Sequence, residues 1–234
     1  MTAAPAKPRK PRAAKKKAAA AGDETVLKAA VLQAALAHVP FEGFTDKVLE
    51  QAGAEAGIDR QMLTRLFPHG PLSLVEAFSE QADASMVKQL GRTKLSALKV
   101  RERIATAIRT RLAVLEPQKE AARRATAFLT LPPHAALGIR LLYRTVDTIW
   151  RTIGDTSTDF NFYTKRAILA GVYSTTLMRW FTDESVDHTV TEEFLRHRID
   201  DVMRFEKFKS ELRERAKSFP AWADIFNRPG ARRS

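Results

Sequence analysis

No cysteine occurs anywhere in the 234 residues, which excludes a disulfide framework, thiolate catalysis and a zinc–thiolate site and fits a reducing compartment. Long apolar runs are also missing: the longest, Ala167 to Met178, lies between Arg166 and Arg179 and falls short of the roughly 18 to 20 residues that span a bilayer. The N-terminus has no apolar core of the kind a secretory signal needs, and too little Arg or Ser for a mitochondrial transit peptide, so the expected location is cytoplasmic. No segment shows convincing two-residue alternation, which argues against strands. Neither a phosphate-binding loop nor a dinucleotide glycine fingerprint is present. The five histidines, His38, His69, His134, His188 and His197, are scattered, with no His-Glu-x-x-His or Glu-x-x-His spacing to hold zinc or paired iron. Asp183, Glu184, Asp187 and His188 do cluster, but as acids in a connecting loop they read as solvated. No metal, no cofactor and no catalysis are expected.

What is present is charge at the ends and helical patterning between them. The net charge is +12. Residues 1 to 21 hold seven Lys or Arg and no acid, residues 203 to 234 hold nine against four acids, and the middle balances. A chain that grips DNA on its folded face usually carries its basic excess there. Residues 1–22, low in complexity and rich in Ala, Pro and Lys, are expected to form a disordered basic tail. Such a tail serves solubility or holds polyanions. After it, Pro and Gly punctuate an all-α pattern. Helices are predicted over Thr25–His38, from a Thr45 cap to Ala54, from an Asp59 cap to Phe67, over Pro71–Leu90, Lys99–Leu115 and from Pro117 onward. Others follow over Ala135–Ile153, Asp159–Trp180 and Val186–Arg204, the last continuing toward Lys217, for about nine or ten helices.

Two of these helices are apolar on more than one side. One offers Leu141, Leu142, Val146, Ile149, Trp150 and Ile153, the other Ile168, Leu169, Val172, Tyr173, Leu177 and Met178. They form either the centre of a bundle or the lining of an apolar cavity, and periodicity does not separate the two. Between them lies "GDTSTDFNFYTKR", in which Gly154 ends one helix and Thr158 or Asp159 caps the next. Asp159, Phe162, Tyr163 and Arg166 follow at i, i+3, i+4 and i+7, one face whose aromatics and charges suit an interface centre. Buried aromatics with a local cap are the plainer alternative. From Phe205, the residues Phe205, Phe208, Leu212, Ala216 and Phe219 form an apolar stripe among Lys and Arg, and Trp222 and Phe226 follow Pro220. Residues 205–234 therefore read as a basic amphipathic segment, lying on a membrane or packed on the bundle.

The segment "GFTDKVLEQAGAEAGIDRQMLTRLFPHG", within residues 23–70, resembles the helix-turn-helix of tetracycline-repressor-type regulators. That family usually carries Tyr and His late in its recognition helix, where this chain has Thr64 and Leu66. The segments "AALAHVPFEGFTDKVL", "RLFPHGP", "LKVRERIATAIRTRL" and "LLYRTVDTIWRTIGDTSTDFNFYTKRAILAGVYSTTLMRW" resemble the coenzyme Q (ubiquinone) biosynthesis protein nine family, over about Val26 to Arg204. That resemblance implies a tetracycline-repressor-like bundle that no longer regulates transcription, a lipid-binding domain over 23–204, and a role as accessory to the demethoxyubiquinone hydroxylase. It implies an isoprenoid quinone or phospholipid against Leu141, Leu142, Val146, Ile149, Trp150, Leu169, Val172, Tyr173 and Leu177. The hydroxylase partner is implied at Asp159, Phe162, Tyr163 and Arg166, with Phe162 standing where the family commonly has Trp. An anionic membrane surface is implied for Phe205, Phe208, Leu212, Phe219, Trp222 and Phe226, which would hold the protein peripherally on the inner membrane. Tetracycline-repressor-like folds often dimerise through their last two helices, so a homodimer is a further expectation. The rival reading is a DNA-binding regulator sensing an apolar ligand; nucleic acid is the disfavoured partner.

Overall fold

The computed structural model describes residues 12–156 and 160–218, with side chains over 23–156 and 162–204. Gly43, Thr45 and Asp59 show how sequence sets the first boundaries. Gly43, at φ +73°, donates its amide to Val39 at 2.9 Å and ends α1 (Arg12–Glu42). Thr45 then accepts from the Val48 amide at 3.2 Å to start α2 (Asp46–Glu55). Asp59 accepts from the Met62 amide at 2.9 Å to start α3 (Arg60–Leu66). The approach of α2 to α3 depends on Gly53, where a Cβ would stand 2.7 Å from Leu63 Cδ2. α1 begins at Arg12, inside the segment read as a tail, and buries Val31, Leu32, Ala35, Leu36 and Val39 along one stripe.

Pro71 occupies the first turn of α4 (Pro71–Leu90), where its missing N–H costs nothing. The Lys99 amide donates to Glu102 Oε2 at 3.0 Å and opens α5 (Val100–Leu115). Pro117 does not begin the next helix. It sits in a 3₁₀ turn, Glu116–Gln118, and α6 runs Lys119–Thr130. After the Pro132–His134 turn come α7 (Ala135–Thr152) and α8 (Phe160–Phe181), with Gly154 at φ +92° between them. The Val186–His188 turn delays α9 to Thr189, from which it continues to Ser218 as a single helix. The capping roles assigned to Thr158 and Asp159 lie outside the described residues.

The class is all-α as expected, with no strand among the described residues. α1 packs on α2, α4 and α6; α4 packs on α5 and α7; α8 lies between α7 and α9. α7 and α8 therefore run antiparallel through the middle, with α4 and α6 against α7, α9 against α8, and α5 touching α4, α7, α8 and α9. Val146 and Ile149 on α7 are wholly buried at this centre. No described helix is long and apolar enough to cross a membrane.

Candidate functional site

The corner between α7 and α8 is held by a buried guanidinium. Arg166, 2% exposed, donates from Nε to Asp147 Oδ1 at 2.7 Å and from Nη1 to the Phe162 carbonyl at 3.1 Å. Its Nη1 also reaches Asp155 Oδ2 at 3.4 Å, and the guanidinium lies 3.4 Å from the centroid of the Phe162 ring. Arg151 adds a bond to Asp147 at 2.6 Å, and Lys165 one to Asp155 at 2.8 Å. The Trp150 indole N–H donates to the Lys165 carbonyl at 3.2 Å, which ties the last turn of α7 to the second turn of α8. The charges of this seam thus neutralise one another across the corner. Arg166 is not part of an exposed docking face, because its own helix turns it toward two carboxylates and its guanidinium is buried between them. Phe162 is half-buried under it. Tyr163 is the exposed member, 66% accessible and edge-on to Phe162 at 5.1 Å. Asp159 lies outside the described residues.

The apolar residues assigned to a lipid divide between two cavities. The first, of about 430 Å³, lies among α4, α5, α6, α7 and α8, and includes Leu141, Leu142, Tyr173 and Leu177 in its wall. The second, of about 530 Å³, lies among α5, α8 and α9 and includes Trp150, Leu169 and Val172, with Lys99, Arg101 and Lys165 at its rim. Val146 and Ile149 line neither and serve as the core between them. Ile139, 70% exposed, and Met178, also exposed, stand where the first cavity meets the surface.

Charged residues on buried helix faces escaped the sequence reading. Arg111 of α5, 5% exposed, sits in the wall of the first cavity, with Asp83 of α4 and Thr145 of α7 buried beside it. Arg111 Nη2 donates to Thr145 Oγ1 at 3.2 Å and to Ser79 Oγ at 3.4 Å, and stands 3.3 Å from Asp83 Oδ1. Thr145 in turn donates to Asp83 Oδ2 at 3.1 Å. Burial pushes the Asp83 carboxyl up against the opposing pull of the Arg111 charge, and burial likewise raises the Tyr173 hydroxyl above its ordinary value. The signal was there: Asp83 falls on the buried stripe of α4 with Phe78, Ala82 and Met86, and Arg111 adjoins Ile108 and Leu112.

Of the loop acids, Glu184 and Asp187 are exposed as expected, and one is corrected. Asp183 is buried rather than solvated. It accepts from the amides of Ser185 and Thr191 at 2.9 and 2.7 Å, and from both hydroxyls at 2.5 and 2.6 Å. Burial raises its pKa, but these four bonds prevail and hold the carboxyl well below the usual range. Its role is to anchor the start of α9. No group of His, Asp or Glu among the described residues is arranged to hold a metal ion. On α3, Arg60 stands 3.6 Å from Glu50 and Arg65 stands 2.9 Å from Glu24. The side chains of Phe205, Phe208, Leu212, Phe219, Trp222 and Phe226 lie outside the described residues.

Among solved structures, the chain is similar to a TetR transcriptional regulator from Nitrosomonas europaea, with a TM-score of 0.60 and 18% identity over 74% of this chain and 95% of that one. The likeness carries the fold alone, and places the molecule in the class of all-α proteins with a TetR-like bundle. Residues 135–206, which hold α7, α8, their corner and the first half of α9, match the family model COQ9. Curated relatives carry the name "Ubiquinone biosynthesis protein COQ9, mitochondrial". The rat protein is 34% identical over 74% of this chain and 57% of its own length. The Bos taurus protein is 35% identical over 77% and 58%, and the human one 34% over the same shares. The chain is thus similar to the COQ9 proteins, and spans about three fifths of the length of those curated relatives.

Proposed function

We propose that this protein is a non-catalytic, lipid-binding accessory of ubiquinone biosynthesis. It takes a polyprenylated quinone intermediate from the membrane and presents it to the demethoxyubiquinone hydroxylase. The observation that carries this reading is the first cavity. Its volume of about 430 Å³ and its mostly apolar wall, with Leu141, Leu142 and Leu177 inside and Ile139 at the surface, suit an isoprenoid chain. Pockets of about 300 to 1,000 Å³ with few polar groups are typical of small-molecule sites. Each CH₂ moved out of water is worth about 0.8 kcal/mol, so such a wall competes with lipid for the first few isoprene units. The partner side is assigned to the exposed Tyr163 face at the start of α8, and the membrane side to the basic amphipathic segment from residue 205 onward. The relatives' name supports the pathway.

The test is ligand capture. Full-length protein incubated with vesicles containing a polyprenyl quinone is separated and examined by native mass spectrometry, beside a Leu142→Trp variant that fills the cavity. The expected result is a quinone adduct on the parent chain and its loss in the variant, with unchanged helical circular dichroism. A parent chain that emerges free of quinone overturns the reading.

A further inference from the structure

The polar groups in the wall of the first cavity are nearly all spent. Thr126 donates to the Ala122 carbonyl at 2.9 Å, Thr130 to Ala127 at 2.7 Å and Ser174 to Gly171 at 3.3 Å. Thr145 is committed to Asp83, and Ser79 receives Arg111 Nη2. Arg111 is the exception. The Tyr173 hydroxyl in the same wall interacts with the guanidinium, but Arg111 Nε and Nη1 are buried without a well-formed hydrogen bond among the described residues, which leaves donors unspent on a side chain that forms part of the wall. Buried donors of a charged group are costly to leave unmade, so a site that keeps them is built to receive an acceptor.

The charge balance selects the kind of acceptor. Asp83 Oδ1 already stands 3.3 Å from Arg111 Nη2, so the guanidinium is neutralised by its own neighbour. A carboxylate or phosphate placed at Nε or Nη1 would add a second buried anion near Asp83, whereas a carbonyl oxygen adds none. The depth of the site fixes a direction. Arg111 in the wall is 5% exposed, while the apolar Ile139 and Met178 are exposed where the cavity meets the surface. A long chain cannot fit whole into about 430 Å³ and must leave through that mouth.

We propose that the first cavity is a directional site that takes an amphiphile head first, with Arg111 Nε–H and Nη1–H donating to neutral carbonyl oxygens while the apolar chain runs out between Ile139 and Met178. The proposal rests on the lipid-carrier reading and adds the head class, the recognising residue and the orientation. A head held at Arg111 is shielded during carriage and emerges only at handover.

Three probes of equal chain length separate the elements of this claim: a benzoquinone bearing three isoprene units, the plain three-isoprene hydrocarbon, and the corresponding carboxylic acid. The full chain is expected to bind the quinone about ten- to hundred-fold more tightly than the hydrocarbon, the range for hydrogen bonds to a charged group. It should also bind the quinone more tightly than the acid. Infrared spectra of the ¹³C-carbonyl quinone should show a downshifted stretch on binding. Arg111→Met alone strands Asp83 and endangers folding, so it is paired with Asp83→Leu, which removes both charges together. The double variant should keep its affinity for the hydrocarbon and lose both the quinone preference and the carbonyl shift. Equal binding of quinone and hydrocarbon by the parent chain, or a carbonyl shift that survives in the double variant, overturns the directional site and leaves the carrier reading standing. Tighter binding of the acid overturns the neutral head class. Binding of none of the three probes overturns both readings.

Discussion

Replacing Arg166 with leucine removes a cation that touches both Asp147 and Asp155 and leaves two nearly buried carboxylates at the α7–α8 corner. The Arg166 and Asp155 side chains are 2% and 5% exposed, and that of Asp147 18%, so solvent screening is weak. Breaking a buried ion pair from one side costs about 3 to 5 kcal/mol. Here Lys165 remains 2.8 Å from Asp155 and Arg151 2.6 Å from Asp147, which places the expected loss near the lower end, about 3 kcal/mol. At roughly 2 to 4 °C per kcal/mol for a domain of this size, Tm should fall by about 6 to 12 °C. Circular dichroism at 222 nm during heating and urea titration measures this directly. The exposed Tyr163 provides the comparison: Tyr163→Ala should stay within about 0.5 kcal/mol of the parent chain while weakening co-purification of the hydroxylase. An Arg166→Leu variant as stable as Tyr163→Ala would refute the claim that the seam charges serve the corner. Charge reversal at Arg166 is consequently a poor probe of docking, since it disturbs the helix pair before it disturbs any partner.

Asp183→Ala should cost about 2 kcal/mol at neutral pH, because the amide of Thr191 loses its acceptor and α9 its anchor. The folded pKa lies below the unfolded value, so this contribution is complete above about pH 4 and is lost as pH falls through the folded pKa. The stability gap between parent and variant, from urea titrations at pH 7 and pH 3, should therefore narrow in acid; a constant gap would contradict the assignment. Deleting residues 205–234 should abolish sedimentation with anionic vesicles at low salt, given about 1 kcal/mol for each basic residue near the lipid surface. Equal sedimentation of the shortened chain would remove the membrane role from that segment.

Most helix boundaries were legible because local chemistry sets them: Thr45 and Asp59 cap as their side chains require, Pro71 starts a helix, and Gly154 turns left-handed after α7. Pro117 misled because the residue that suits a first helical turn suits a 3₁₀ turn equally well. The site was legible by composition and not by geometry. Periodicity states which side of its own helix a residue occupies, and cannot state what stands opposite. So Leu141 and Leu169 read alike, although one faces a cavity closed by α4, α5 and α6 and the other a cavity closed by α5 and α9. Charges failed for a related reason. Arg166, Arg111, Asp83 and Asp183 look solvated when read singly, and only the packing of distant helices brings each to its partner.

The same distinction between frame and chemistry separates a carrier from a regulator on one fold. A TetR-like bundle supplies α2 and α3 at one end and an apolar interior at the other, and neither feature fixes a function. Gripping DNA requires cations free to displace counterions along the recognition helix. On α3, Arg60 and Arg65 face Glu50 and Glu24, while the excess positive charge of the chain belongs to its ends. The interior, by contrast, holds features that a plain bundle core has no use for. Its first cavity opens past two exposed apolar residues, and its wall holds a buried guanidinium with unspent donors. A filled core avoids both, because voids forfeit dispersion contacts and buried donors forfeit hydrogen bonds. Their coincidence in one wall, beneath the helix pair that the family model matches, weighs the balance toward a ligand that has an apolar chain and an oxygen at its end.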